Sequence, residues 1–402
     1  MQKLFLIFAV FFLAMHAQAR LSPLAPKPVW TVLDGFQQTM TKADFIALLD
    51  KVYAPGGAWV DSISFTNEDA IIKTSPDKPP YVLKFAPDAA SARQARVYWR
   101  PRRALPGLEP GKPLAGLKIA IDPGHLGGSW AKMEERWFRM GKSAPVTEGD
   151  MTLKVAKLLV PRLTALGAEV FLTRSKTAPV TGARPSQLRG AAVDSLQQKN
   201  EPATKKSVAK ESERLFYRVS EIRRRGQIVN GAIKPDLVLC LHFNAEAWGD
   251  EKHPSLVNDN HLHFLVTGAW TKDELACEDQ RLDMLVKLLN RSYSEEVPLA
   301  ETMADVMAKA TGLPPYVYRG GSVIRVSPYL WARNLLANRL FTCPVVYVEP
   351  YVMNSRSGFA RIQAGDYNGR QTFGGVARQS IYREYADAVT AGLVKYYSRR
   401  SP

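Results

Sequence analysis

From residue 117 onward the chain alternates between short, continuously apolar runs and longer segments whose apolar positions recur at helical spacing. LKIAID, AEVFLT, PDLVLCLHFNA and CPVVYVE are the runs, and their length and β-branched content predict strands. MTLKVAKLLVPRLTALG, RLFYRVSEIRRRGQIVNGA, EVPLAETMADVMAKATG and the closing YREYADAVTAGLVKYY carry the helical period. Strands apolar on both faces need cover on both, so the pattern predicts an α/β fold, a mostly parallel or mixed sheet covered by helices on both faces. Residues 20–110 read differently. TKADFIALLDKVY (41–53) is helical behind a Thr cap, and AIIKT and YVLKF are strand-like runs joined by the turn SPDKPP, which together predict a small N-terminal α+β module of unknown role. PRRALPGLEPGKPLAG (101–116) reads as a Pro/Gly-rich linker, placing the larger domain at 113–402. Within it, the Lys/Gln/Ser-rich segment 186–213 reads as a polar surface insertion, at least partly mobile.

Composition and charge narrow the setting. With 402 residues, 46% hydrophobic and 23% charged, the chain can bury a sizeable core, which excludes a disordered tail. Lys3, an uncharged apolar run over 4–15 and Ala17-Gln18-Ala19 read as a signal peptide, residues 1–19, cleaved after Ala19. That run is shorter than the roughly 20 apolar residues a membrane span needs, and no later stretch is long enough, so an exported protein without a membrane span is expected. The formal charge of +16 draws such a protein to acidic surfaces. Export weighs against nucleic acid and favours the anionic polymers and lipids of a bacterial envelope, while a bland alternative gives the charge only to solubility. No sorting signal or wall-binding repeat is evident, which favours the periplasm over the cell exterior. Cys240, Cys277 and Cys343 have no metal-type spacing, and Cys240 and Cys343 read as buried small hydrophobes without a disulfide.

In open α/β sheets functional groups gather beyond the carboxyl ends of strands. His125 follows KIAID in a Pro/Gly turn, His242 stands near the end of LVLCLHFN, and Glu349 ends PVVYVE. A fourth polar residue comes from VTEGDMTLKVAKLL, where Thr147 and Asp150 have capping-box spacing and set Glu148 in the first helical turn. Taken singly, each has a bland reading: an exposed turn histidine, a core histidine, a strand end, a carboxylate complementing a helix dipole. Together, two imidazoles and a carboxylate make the His/His/Glu set that holds catalytic zinc and leaves a coordination position open for water. HLHF offers a competing pair, His261 and His263 on one strand face, without an evident third ligand.

KIAIDPGHLGG, TEGDMTLKVAKLL, DLVLCLHFNA and CPVVYVEPYVMN, in that order across roughly residues 117–398, resemble the signature segments of the zinc-dependent N-acetylmuramoyl-L-alanine amidases, cell-wall amidases of the Amidase_3 type. The resemblance implies Zn2+ bound by His125, Glu148 and His242, with Glu349 as catalytic acid/base. It also implies peptidoglycan as substrate, with an activator protein as a further candidate partner. Phe243 in place of a small residue, a longer glycine-turn segment and Glu-Pro-Tyr-Val in place of Glu-Leu-Gly-Phe depart from the family pattern beside the site. Some relatives carry an inhibitory helix over the zinc, but the corresponding EAWGDEKHPSLVNDN is short and not helix-like, so self-inhibition is not expected. Two other readings stay open: a non-catalytic peptidoglycan-binding or regulatory protein on this scaffold, and a zinc peptidase cutting elsewhere in the stem peptide. For residues 20–110, compactness and the linker suggest an envelope-targeting module.

Overall fold

The structure, a computed structural model, describes residues 20–249 and 253–398; the signal peptide expected at 1–19 lies outside them. An N-terminal unit comes first. Helix α1 (Lys42–Leu48) starts at Thr41, whose hydroxyl accepts the Asp44 N–H, and an antiparallel sheet follows from β1 (Ile63–Phe65), β2 (Asp69–Ile72) and β3 (Tyr81–Lys84). Next come β4 (Lys118–Pro123), α2 (Trp130–Met133), the hairpin of β5 (Trp137–Phe138) and β6 (Val146–Thr147), α3 (Glu148–Ala165) and β7 (Glu169–Leu172). Helices α4 (Arg189–Gln198), α5 (Lys205–Arg214) and α6 (Glu221–Gln227) lead to β8 (Leu237–Leu241) and β9 (Leu262–Thr267). Then follow α7 (Lys272–Ala276), α8 (Glu278–Leu289), α9 (Tyr293–Thr311), β10 (Val323–Arg325), β11 (Leu330–Arg333), α10 (Leu336–Leu340) and β12 (Val345–Pro350). The chain closes with α11 (Arg356–Gln363), the hairpin of β13 (Gln371–Phe373) and β14 (Val376–Arg378), and α12 (Ile381–Tyr397). No helix of the described residues is long and apolar enough to cross a membrane.

The main sheet is mixed and seven-stranded, in the order β10-β11-β9-β12-β8-β4-β7. β12, β8, β4 and β7 run parallel, and β9 runs against β12. Alternation along each strand divides its side chains between two cores. Ile119, Ile121, Leu239, Leu241, Val346 and Val348 pack under α3, α9 and α12. Ala120, Val238, Cys240, Val345 and Tyr347 pack on the other face against Val229, Ile233, Ala337 and Phe341. The expectation of a mixed sheet covered on both faces therefore holds, because every strand of its centre buries both sets of residues. All three cysteines are buried and none forms a disulfide.

Two expectations change. The segment 101–116 does not hang free between units: Leu105 and Leu114 enter the main core, and Asp236 takes Arg100 in a salt bridge and accepts the Lys118 N–H. The N-terminal unit shares one apolar core with α8, in which Phe45, Leu49, Ile72 and Leu83 join Leu282, Leu285 and Leu288. Main-chain hydrogen bonds from Ala269 and Trp270 to the carbonyls of Val52 and Tyr53 tie the two together. Nor is 186–213 a loop throughout, since α4 and α5 fold against each other over Ala192, Leu196 and Val208. Its polar composition had obscured this, because so short a helical pair needs only a narrow apolar stripe. Among the described residues of 246–260 there is no helix.

Candidate metal centre

β4 delivers the chain to the sheet's carboxyl edge, where Asp122 meets the Thr173 hydroxyl and Arg225. The turn that follows carries its strain at an unexpected place. His125 itself has φ +59°, a left-handed conformation uncommon outside glycine, whereas Gly124 is needed for space: a Cβ there would come within 2.4 Å of the His242 ring. Three carbonyls of the turn are tied down. Arg174 and Arg225 both donate to Pro123 O, Arg174 and the Thr152 hydroxyl to Gly124 O, and Arg225 to His125 O. Glu134 completes the cradle by accepting the Leu126 N–H and meeting His125 Nδ1 at 2.8 Å. The other ring nitrogen, Nε2, is left facing Glu148 at 3.3 Å.

Glu148 is the first residue of α3. Thr147 does not close a capping box onto the backbone; its hydroxyl donates to the Asp150 carboxylate, which in turn accepts the Gly128 N–H. The helix can start this close to the turn because residue 149 is glycine, where a Cβ would sit 2.2 Å from the Leu126 carbonyl. Burial would push the Glu148 carboxyl up, but His125, His242 and Arg136 outweigh it and hold it down at about 2. His242 stands just past β8, its ring stacked on Tyr347 and its Nδ1 3.2 Å from Glu148 Oε1, which also accepts the Phe243 N–H. Phe243, unusual in sequence, is thereby a core residue among Tyr351, Tyr382 and Tyr385.

One donor atom each from His125, Glu148 and His242 lie within 4.8 Å of one another, and among the described residues this is the one such group able to hold a metal ion. The donors fit zinc: two imidazole nitrogens and one carboxylate oxygen, with the His125 ring oriented from behind by a second carboxylate, are its common ligand types. They open into a cleft of about 1040 Å³ that Glu349 also lines, with Arg136, Tyr217, Trp248 and Tyr316 around it. The competing pair is placed elsewhere. His261 pairs with Glu246 at 3.1 Å and His263 with Glu349 at 3.3 Å, so the two rings serve separate carboxylates. Glu134, Arg174 and Arg225 escaped the sequence reading as site residues, and His263 entered it only as half of the competing pair. Only His263 had a visible signal, in HLHF, and its meaning depended on β9 running antiparallel to β12.

No curated protein matches the chain at a significant level. Solved structures that resemble it include the N-acetylmuramyl-L-alanine amidase Ami1 of Mycobacterium smegmatis, at 16% identity and a TM-score of 0.39, covering 71% of this chain and 98% of that one. Ami1 of Mycobacterium abscessus gives 19% identity and 0.40, with 70% and 99% covered. The CwlD amidase of Clostridioides difficile, solved in complex with the GerS lipoprotein, gives 13% and 0.38, with 70% and 98% covered. These likenesses are remote, whereas the Amidase_3 family, N-acetylmuramoyl-L-alanine amidase, matches residues 119–376, more than half of the chain. The protein belongs to the N-acetylmuramoyl-L-alanine amidase family.

Proposed function

We propose that the protein hydrolyses the amide bond between the lactyl group of N-acetylmuramic acid and L-alanine in peptidoglycan, releasing stem peptides from the glycan. The observation that carries this reading is the convergence of His125, Glu148 and His242 with Glu349 in one cleft of a family member. In this reading the two histidines and Glu148 hold zinc, which supplies a Lewis acid for the scissile carbonyl and lowers the pKa of water toward ~7. Glu349 takes a proton from the attacking water as its oxygen bonds to the carbonyl carbon. As the C–N bond breaks, Glu349 returns that proton to the leaving amine of L-alanine. Arg174, Arg225 and Glu134 fix His125, and the Tyr347 ring backs His242.

Export through the signal peptide read at residues 1–19, and residence in the periplasm, belong to the same proposal, since peptidoglycan lies outside the cytoplasmic membrane. The test is release of soluble fragments from purified sacculi by residues 20–402, with and without a chelator, the products being identified by mass. Chelator-sensitive release of peptides beginning at L-alanine supports the reading; cleavage within the stem peptide, or metal-independent release, overturns it. Activity that appears only on adding envelope extract would require an activator protein as partner.

A further inference from the structure

We infer that His263, braced by Tyr318, is a positioning residue for Glu349: its Nε2–H holds one carboxylate oxygen so that the other is presented to the cleft. The inference rests on the amidase reading, in which Glu349 moves the proton. It starts from strand direction. β9 runs against β12, so the amino end of β9 reaches the same sheet edge as the carboxyl end of β12, and His263 stands directly across from Glu349 in register. Directly opposed residues of an antiparallel pair project to the same face, close enough for their side chains to interact.

The contacts are specific. His263 Nε2 lies 3.3 Å from Glu349 Oε2 and 2.9 Å from the Tyr318 hydroxyl. The His263 side chain is 1% exposed, while that of Glu349 is 17% exposed and lines the cleft. Tyr316 and Tyr318 pack on the imidazole, with ring centroids 5.0 and 5.3 Å away. Nδ1 is fully buried and has no hydrogen-bond partner in the structure.

These facts select a tautomer. An Nε2 lone pair aimed at a carboxylate would be repelled, and the proton would then sit on Nδ1 as an orphaned buried N–H, the rarer kind of unsatisfied group. With the proton on Nε2, the ring presents a donor to the side on which the carboxylate and the phenol oxygen lie, and the ring nitrogen left without a partner is an acceptor. Burial also pushes the ring down to about 4, against the pull of Glu349, which keeps it a neutral donor near neutral pH. A glutamate side chain has several rotatable bonds, and a proton carrier must stay within hydrogen-bond reach of its water. A donor fixed by two packed tyrosines supplies that restraint without touching the metal group.

The experiment compares the full mature chain with His263→Leu, His263→Gln and Tyr318→Phe on a soluble N-acetylmuramoyl peptide, alongside metal content and melting curves. His263→Leu is expected to lower kcat roughly 10–100-fold, the range typical when an outer-shell partner is lost, with KM and metal content unchanged. His263→Gln, whose amide N–H can take the place of Nε2–H, is expected to recover most of that loss, and Tyr318→Phe to fall between. Wild-type kcat in His263→Leu, or a change confined to KM, overturns the inference. Nitrogen-15 NMR of the imidazoles decides it independently of activity and of whether the His263 and Tyr318 variants fold. A neutral Nε2–H ring whose resonances shift in Glu349→Gln supports the contact, and an Nδ1–H ring refutes it. If the unsubstituted chain leaves the muramoyl–alanine bond intact, the amidase reading fails, while the NMR result still decides the His263 contact.

Discussion

Each of the residues gathered at the cleft has a replaceable chemical duty. Under the proposed reaction, Glu349→Gln keeps the shape of the side chain and removes the proton transfer, so metal content is expected to stay at the wild-type level while kcat falls roughly 10²–10⁴-fold. Elemental analysis beside a turnover assay checks both halves, and near-full turnover would remove Glu349 from the chemistry. His125→Ala takes away a donor of the metal group and is expected to lose the metal itself. Glu134→Gln, which weakens the support behind His125 Nδ1, is expected to cost roughly 10–100-fold in metal affinity, read by competition with a chelator. That His125, Glu148, His242 and Glu349 come together was legible in the sequence because each lies at or just past the end of an apolar strand or opens a helix. The arginines beneath the turn were not. Arg174 and Arg225 come from segments far along the chain, and no local pattern marks an arginine destined to bond the carbonyls of another loop.

Whole elements show what periodicity can and cannot carry. α3, α9 and α12 were readable because their apolar stripes are long, whereas α7, α8 and the short strands β1, β10 and β11 were missed. β2, β3 and β7, four residues each, were read from their apolar runs, but the three residues of β1 and of β10 leave no room for alternation to register. The direction of β9 could not be read either, since apolar runs look alike in both directions. The helices of the α4–α5 pair escape the sequence pattern because their cohesion comes partly from charge. Glu211, buried in α5, accepts from the Ser195 hydroxyl, Lys199 and Arg214. Burial would raise its carboxyl, but Arg214, Ser195 and Lys199 outweigh it and hold it down at about 2, against 4.5 for the free group. A carboxyl depressed in the folded state stabilises fully above about 4.5 and loses that contribution as pH falls toward about 2. Limited proteolysis within 186–213 is therefore expected to speed up as pH is lowered through that window. Glu211→Gln should show the faster cutting already at neutral pH and flatten the pH response.

At the scale of the whole molecule, the N-terminal unit and the sheet-bearing unit are thermodynamically joined through α8. Leu285 is fully buried in their common core, and Leu285→Ala is expected to cost about 2–5 kcal/mol. Calorimetry should show the loss in one transition that carries both units; a transition of the N-terminal unit alone, separated from the rest, would contradict the joint core. The same feature limits how the role of residues 20–110 can be approached. A chain started at residue 113 would turn Trp270, Leu282, Leu285 and Leu288 toward water, a contiguous greasy face of the kind that makes proteins self-associate. Any loss of wall binding by such a truncation would then report stickiness and misfolding rather than targeting. The informative changes are outward ones, at exposed Val32 or Val82, which leave the joint core untouched. Evolution faces the same restriction as the experimenter: the unit cannot be exchanged like a detachable tag without rebuilding the helix that seats it.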